Sequence, residues 1–290
     1  MKHLKLILFV ALTISIFSCS SDDGNNSQSV TEYFNYTDDS QVLTVTSWQA
    51  YRSENSLAVT AATSQGKSLQ FEFNAQGNLG SASTYSSDFS VPSRYSQAYY
   101  SEESFNFEMV NFDETNKTVE VNFSGKVYED EHDLTSAFVN ISGSFLVKYS
   151  VVTPAVSGLW LNAKINNEDW YSSSEDQEGG FFPGSDIRLN FYNSDKNNIA
   201  IIINQSTTSE GTYSFTSSST NNKAILSVYN TATDYHDDYN CSGTLTITEK
   251  TIGSQITVLA GTFSFTATNP VNSNQTQVTN GTFKTVYSSY

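Results

Sequence analysis

The densest run of chemistry-bearing side chains is Asp234-Tyr235-His236-Asp237-Asp238-Tyr239. Hard cations take several carboxylate oxygens from one flexible loop, so Asp234, Asp237 and Asp238 are candidate calcium ligands. The run lacks the glycine and the spaced acids of a helix-loop-helix calcium motif, and the competing reading is a solvated loop between strands. A second acidic run, Glu129-Asp130-Glu131-His132-Asp133, does not align with the first. It reads as a solvent-facing hairpin loop that also discourages edge-to-edge pairing, with calcium as the alternative.

Tyrosines form the other lead. Tyr95, Tyr99 and Tyr100 lie in a Ser-rich segment, residues 93–104, outside any clean alternation. Tyr229, Tyr235 and Tyr239 occupy the corresponding stretch of the second half. Sugar C–H faces pack on aromatic rings while nearby Asn, Gln and Asp take the hydroxyls, so these six are candidate ligand-binding residues. The competing reading is that the rings cap the open end of each half. Trp48, Trp160 and Trp170 fit core or edge-covering roles better than ligand contact.

Catalytic chemistry finds little support. Beyond His3, the histidines are His132 and His236, in acidic surroundings that favour the protonated form, a poor general base. The chain has no Gly-x-Ser-x-Gly elbow, HExxH or phosphate loop. A glycosidase needs only two carboxylates at the right separation, which sequence does not reveal. Of the two cysteines, Cys19 and Cys241, the second reads as a small semi-buried side chain at a strand start. With no CxxC pair, a zinc-thiolate site is excluded. No cofactor is expected beyond the calcium already named.

The elements that must position these residues follow from composition and pattern. The chain has 290 residues, 38% of them hydrophobic, 13% aromatic and 15% charged. Aromatics this frequent do not suit a disordered acidic chain. A formal charge of −16 repels a phosphate backbone, so no nucleic-acid partner is expected. Alternation of apolar and polar residues marks strands at Leu69-Gln70-Phe71-Glu72-Phe73, Phe105-Asn106-Phe107, Val119-Glu120-Val121, Phe145-Leu146-Val147, Ile187-Arg188-Leu189-Asn190-Phe191 and Leu245-Thr246-Ile247. Polar turns such as Ser64-Gln65-Gly66 and Gly253-Ser254 separate the runs. Beyond Phe17 there is no convincing helical periodicity. The expected fold class is all-β: two tandem antiparallel β-sandwich or barrel-like domains.

The N-terminus carries an address. Lys2 and Lys5 precede an apolar run of about a dozen residues, the size of a signal-peptide core and short for a membrane span. It ends in Ile16-Phe17-Ser18-Cys19. This resembles the lipobox of bacterial lipoproteins, in which the cysteine is lipidated and becomes the new N-terminus. Phe17 is bulkier than that pattern's usual small residue. Ser20-Ser21-Asp22-Asp23-Gly24 resembles the acidic export signal of surface-exposed lipoproteins in the Bacteroidota. The resemblance implies a signal peptide at residues 1–18, a lipid on Cys19 and a flexible tether at 19–29.

Two further domains are expected, at 30–150 and 159–290, joined by a linker at 151–158 that holds Pro154 and Gly158. They read as copies of one another. Val119-Glu120-Val121-Asn122-Phe123-Ser124-Gly125 lines up with Ile256-Thr257-Val258-Leu259-Ala260-Gly261, and Gly143-Ser144-Phe145 with Gly281-Thr282-Phe283, at nearly constant offset. The second copy opens on Leu161-Asn162-Ala163-Lys164-Ile165 leading to Trp170, and closes on Gly261-Thr262-Phe263 and Gly281-Thr282-Phe283. It resembles a lipoprotein domain of unknown function common in Bacteroidota, a β-meander with Gly-Thr-Phe closing strands. That resemblance bears on fold and location and brings no catalytic residues.

The expected function is that of a non-catalytic cell-envelope lipoprotein. It is held to the outer membrane by its N-terminal lipid, exposed at the cell surface, and binds a glycan or protein through loops. The alternatives are a periplasm-facing location, a structural or accessory envelope protein without a small ligand, and a hydrolase.

Overall fold

The computed structural model describes residues 30–86, 91–180, 182 and 184–288. The signal peptide, the tether and Cys19 lie outside the described residues. Within them the chain is all-β, and its single helical element is one 3-10 turn, Ser101–Glu103. No helix among the described residues is long and apolar enough to cross a membrane.

The first half builds one 11-stranded sheet whose pairings are antiparallel, save Ser150–Val151 against Val45–Ser53. Alternation inside Lys67–Asn74 puts Leu69, Phe71 and Phe73 on one buried face. Phe71 and Phe145 sit on strands four steps apart in the sheet order, which in a flat sheet is about 19 Å. Their ring centroids are 5.7 Å apart. The sheet therefore curls over its own dry face, and it stays open between its edge strands Ser150–Val151 and Gln41–Leu43. One apolar cluster fills it, including Tyr36, Leu57, Phe71, Val121 and Phe145.

The second half is a two-sheet sandwich. A six-stranded sheet is dominated by the meander Asn240–Ile252, Ile256–Thr268 and Gln275–Ser288. A five-stranded sheet runs in the order Ser174–Gly179, Asp186–Tyr192, Asn197–Asn204, Lys223–Asn230, Tyr235–Asp238. Ile187, Leu189, Phe191, Ile199 and Ile201 from the latter meet Leu245, Ile247, Leu259 and Phe263 from the former in a second core.

Both halves end in a three-strand meander that uses the same packing device. Phe123 faces Gly143 across the ladder, and Phe263 faces Gly281. A Cβ on Gly281 would lie 2.2 Å from the Phe263 ring, and one on Gly143 would lie 2.7 Å from the Phe123 ring. The phenyl ring thus occupies the space that the missing side chain leaves.

Residues 31–290 form one compact unit, so the two cores are docked. The docking is polar and close. Asn74 Nδ2 donates to the Ser172 carbonyl at 3.0 Å, and Ser173 Oγ donates to the Leu79 carbonyl at 3.0 Å. A Cβ on Gly80 would stand 2.5 Å from the Ser173 carbonyl oxygen, so only glycine allows this approach. Further along, Ser194 Oγ donates to Glu102 Oε1 at 2.7 Å, and the Glu102 amide donates to the Ser194 carbonyl at 3.1 Å.

Candidate functional site

The five-stranded sheet has a second face, pointing away from the sandwich core. Arg188, Asn190 and Tyr192 alternate with the core residues Ile187, Leu189 and Phe191 and so project from that face. The register Tyr192↔Asn198, Asn198↔Ser227 and Ser227↔Asp238 lays four polar side chains along one rung. A face of this kind is usually wet. Here Tyr192, Asn198, Ser227 and Tyr229 are all buried, and the Tyr99 ring of the first half lies against Tyr192 and Tyr229.

Tyr99 makes the cover. The Oε1 of Gln97, itself buried, accepts from the amides of Tyr99 and Tyr100 and sets the loop. The Tyr99 ring stacks on His132 at 4.9 Å and meets His236 edge-on at 4.9 Å. It also lies 5.4 Å from Tyr192 and 6.3 Å from Tyr229, and Tyr100 lies 6.1 Å from Tyr229. Beneath Tyr99 is a cavity of about 60 Å³. Its aromatic walls are Tyr99, Tyr192 and Tyr235, and its polar walls include Arg188, Asn198, His236 and Asp238.

Arg188 organises the floor. Its Nη1 and Nη2 donate to the two carboxylate oxygens of Asp238, each at 2.8 Å, a bidentate pair. Nη2 also donates to Ser227 Oγ at 2.9 Å, and Nε to Asn190 Oδ1 at 2.8 Å. Asn190 Nδ2 donates to Glu178 Oε1 at 2.9 Å. Burial alone would raise the Asp238 carboxyl. Hydrogen bonds from Arg188 and Ser227 outweigh that and hold it below the usual carboxylate range.

Burial, and next the charge of Arg188, push the His236 imidazolium down to about 4. The sequence expectation of a protonated histidine is therefore corrected: acidic neighbours in sequence matter less than lost solvent and a cation close by. Burial first, then the charges of Asp176 and Glu178, push the Tyr99 hydroxyl up to about 12, so it stays neutral. Two buried polar atoms among the cavity-lining residues have no hydrogen-bond partner among the described residues, Asn198 Oδ1 and His236 Nε2. Buried polar groups are nearly always paired, so both atoms call for a partner from outside the chain.

His236 sets a pH dependence. Its free value is near 6.5, so the unfolded chain takes the proton first as pH falls. Its contribution to stability is complete above about pH 6.5 and is lost on acidification towards pH 4. Urea midpoints measured from pH 7 to 4 should fall, and His236→Gln should flatten that limb. An unchanged slope in the variant would mean that His236 is solvated.

The acidic candidates part company. Residues 235–238 form an edge strand, where a solvated loop was expected, so neighbouring side chains point to opposite faces. Asp238 is held by Arg188, Asp237 Oδ2 accepts from Asn230 at 2.8 Å, and Asp234 accepts from the Tyr229 hydroxyl at 2.9 Å. The three carboxylates do not converge as calcium ligands, and no group of three or more metal-ligating side chains occurs among the described residues. In the other run, Asp130 and Asp133 cap their own loop by accepting from the His132 and Thr135 amides.

The tyrosine candidates also divide. Tyr99, Tyr100 and Tyr229 come together, with Tyr229 buried on the strand Lys223–Asn230 where an exposed loop was expected. Tyr235 is 60% exposed on the cavity rim. Tyr239 packs against the second core, and its hydroxyl accepts from Asn269. Tyr95 pairs with Tyr128 in the first-half sheet, and no ring contact joins it to the other five among the described residues.

Residues 160–287 match the family model described as Domain of unknown function (DUF6252). The matched stretch supplies every cavity wall except Tyr99. No curated protein and no solved structure matches the chain. Sequence reasoning missed Arg188, Asn190, Tyr192 and Asn198. The available signal was Arg188, one of only 14 basic residues, at a wet position of a strand in an acidic chain.

Proposed function

We propose that this chain is a non-catalytic, surface-exposed lipoprotein of the cell envelope that binds a glycan at the Tyr99–Tyr235–His236 cavity. The observation that carries this reading is the pair of unpartnered buried atoms, Asn198 Oδ1 and His236 Nε2, on residues that line a cavity walled by three tyrosines. Hydroxyl groups both donate and accept, and sugar rings carry C–H faces for tyrosine. A cavity of about 60 Å³ admits one protruding hydroxyl or hydroxymethyl group, with the ring resting on Tyr235. The envelope location rests on the N-terminal lipobox resemblance and the acidic stretch after Cys19.

Two carboxylates, Glu178 and Asp238, line the same cavity, which bears on the hydrolytic alternative. Asp238 is an anion gripped on both oxygens by Arg188, so it has no proton to give a leaving group near neutral pH. This argues against Asp238 as a general acid.

Calorimetric titration of the full chain in detergent with a panel of neutral mono- and oligosaccharides tests the reading. At least one should bind, and Asn198→Ala and Tyr235→Ala should each weaken it by about tenfold or more. Equal binding by both variants, or no binding across the panel, would remove the proposal.

A further inference from the structure

The strand Tyr235–Asp238 is the free edge of its five-stranded sheet. No strand pairs with its outer side among the described residues. Alternation sends successive side chains to opposite faces. His236 and Asp238 line the cavity beneath Tyr99, and Tyr235 also contributes to its rim. Asp237, and Tyr239 just past the strand, line a second hollow of about 270 Å³.

This second hollow is wider, and its walls mix apolar and polar groups. Tyr229, Pro270 and Val271 supply apolar surface, and Val271 is 92% exposed. Asp237 uses only Oδ2, towards Asn230, and its Oδ1 accepts nothing among the described residues. The Tyr239 hydroxyl accepts from Asn269 Nδ2 at 2.9 Å, which leaves its own hydrogen to donate. One open acceptor and one open donor beside apolar walls suit a ring that carries hydroxyls and C–H faces. The two hollows are joined through Tyr229, which lines the second and lies 5.7 Å from His236 of the first.

We infer that the two hollows, joined at Tyr229, are adjacent subsites for one oligosaccharide of at least two rings. This rests on the glycan reading above and names its ligand class: a chain of sugars, not a single one. The first hollow takes a protruding group, and the second takes a ring of the next unit.

The test is a length series. The full chain in detergent is titrated with gluco-, xylo- and N-acetylglucosamine oligomers of one to six units. In the series that binds, affinity should rise at least tenfold between one unit and three. The double variant Asp237→Asn, Val271→Asp should bring that ratio close to one, and both positions are exposed enough to leave folding intact. Amide NMR shifts at Thr231 and Val271 should move with the trimer and not with the monomer. Length-independent affinity, or a double variant that keeps the full ratio, would overturn the second subsite while leaving the first standing. Absence of binding in every series would overturn both.

Discussion

Phe71→Ala should lower the unfolding free energy by about 3–5 kcal/mol. Phe71 has no solvent exposure and sits at the centre of the first core. Its ring lies 4.7 Å from Phe123, 5.7 Å from Phe107 and from Phe145, and 6.4 Å from Phe105. These four rings belong to three other strands, so the surrounding sheet cannot collapse into the void without uncurling. Loss of transfer free energy and an unfilled cavity therefore add. Urea denaturation reads the change as a lower midpoint at constant slope. Val42→Ala, at a position 78% exposed on an edge strand, is the control and should stay within about 0.5 kcal/mol. A loss below about 1 kcal/mol for Phe71→Ala would mean that the sheet does not curl around this ring.

Asn74→Ala should cost about 2–4 kcal/mol and loosen the docking of the two halves. Asn74 is buried, and one side chain does two jobs. Its Oδ1 accepts from the amides of Gln76 and Asn78, each at 3.0 Å, and so shapes the turn before Leu79. Its Nδ2 crosses to the Ser172 carbonyl in the second half. Truncation strands two donors and one acceptor at a partly buried turn, which costs more than the bonds themselves contribute. Asn74→Asp separates the jobs, because it keeps the turn acceptors and sets a carboxylate oxygen against a carbonyl. Limited proteolysis within residues 151–158 should speed up in both variants. If Asn74→Asp is cut no faster than the wild type, the Ser172 contact does not hold the halves together.

Much of the strand pattern was legible without coordinates. Leu69-Gln70-Phe71-Glu72-Phe73 lies inside Lys67–Asn74, and Ile187-Arg188-Leu189-Asn190-Phe191 lies inside Asp186–Tyr192. Alternation is a local property, since it reflects only which side of a pleat each residue takes. The site was half legible. Tyr99 and Tyr235 stood out by type, His236 was read only as a poor general base, and Asp234, Asp237 and Asp238 misled as a group. Three acids close in sequence converge only on a loop, and on an edge strand the pleat parts them. Arg188 and Asn198 stayed hidden because each is one polar residue on a strand's apparent wet face.

The amino-acid sequence by itself determined that the chain is built of strands and where turns break the runs. Those properties depend on residues near one another along the chain. Only the tertiary structure decided that the outer face of the five-stranded sheet is covered, that Tyr99 is the cover, and that Arg188 grips Asp238. Those depend on contacts between residues roughly 50 to 140 positions apart, as Arg188 with Asp238 and Tyr99 with His236 show. Such contacts are set by how two cores dock, and a local pattern carries no record of docking.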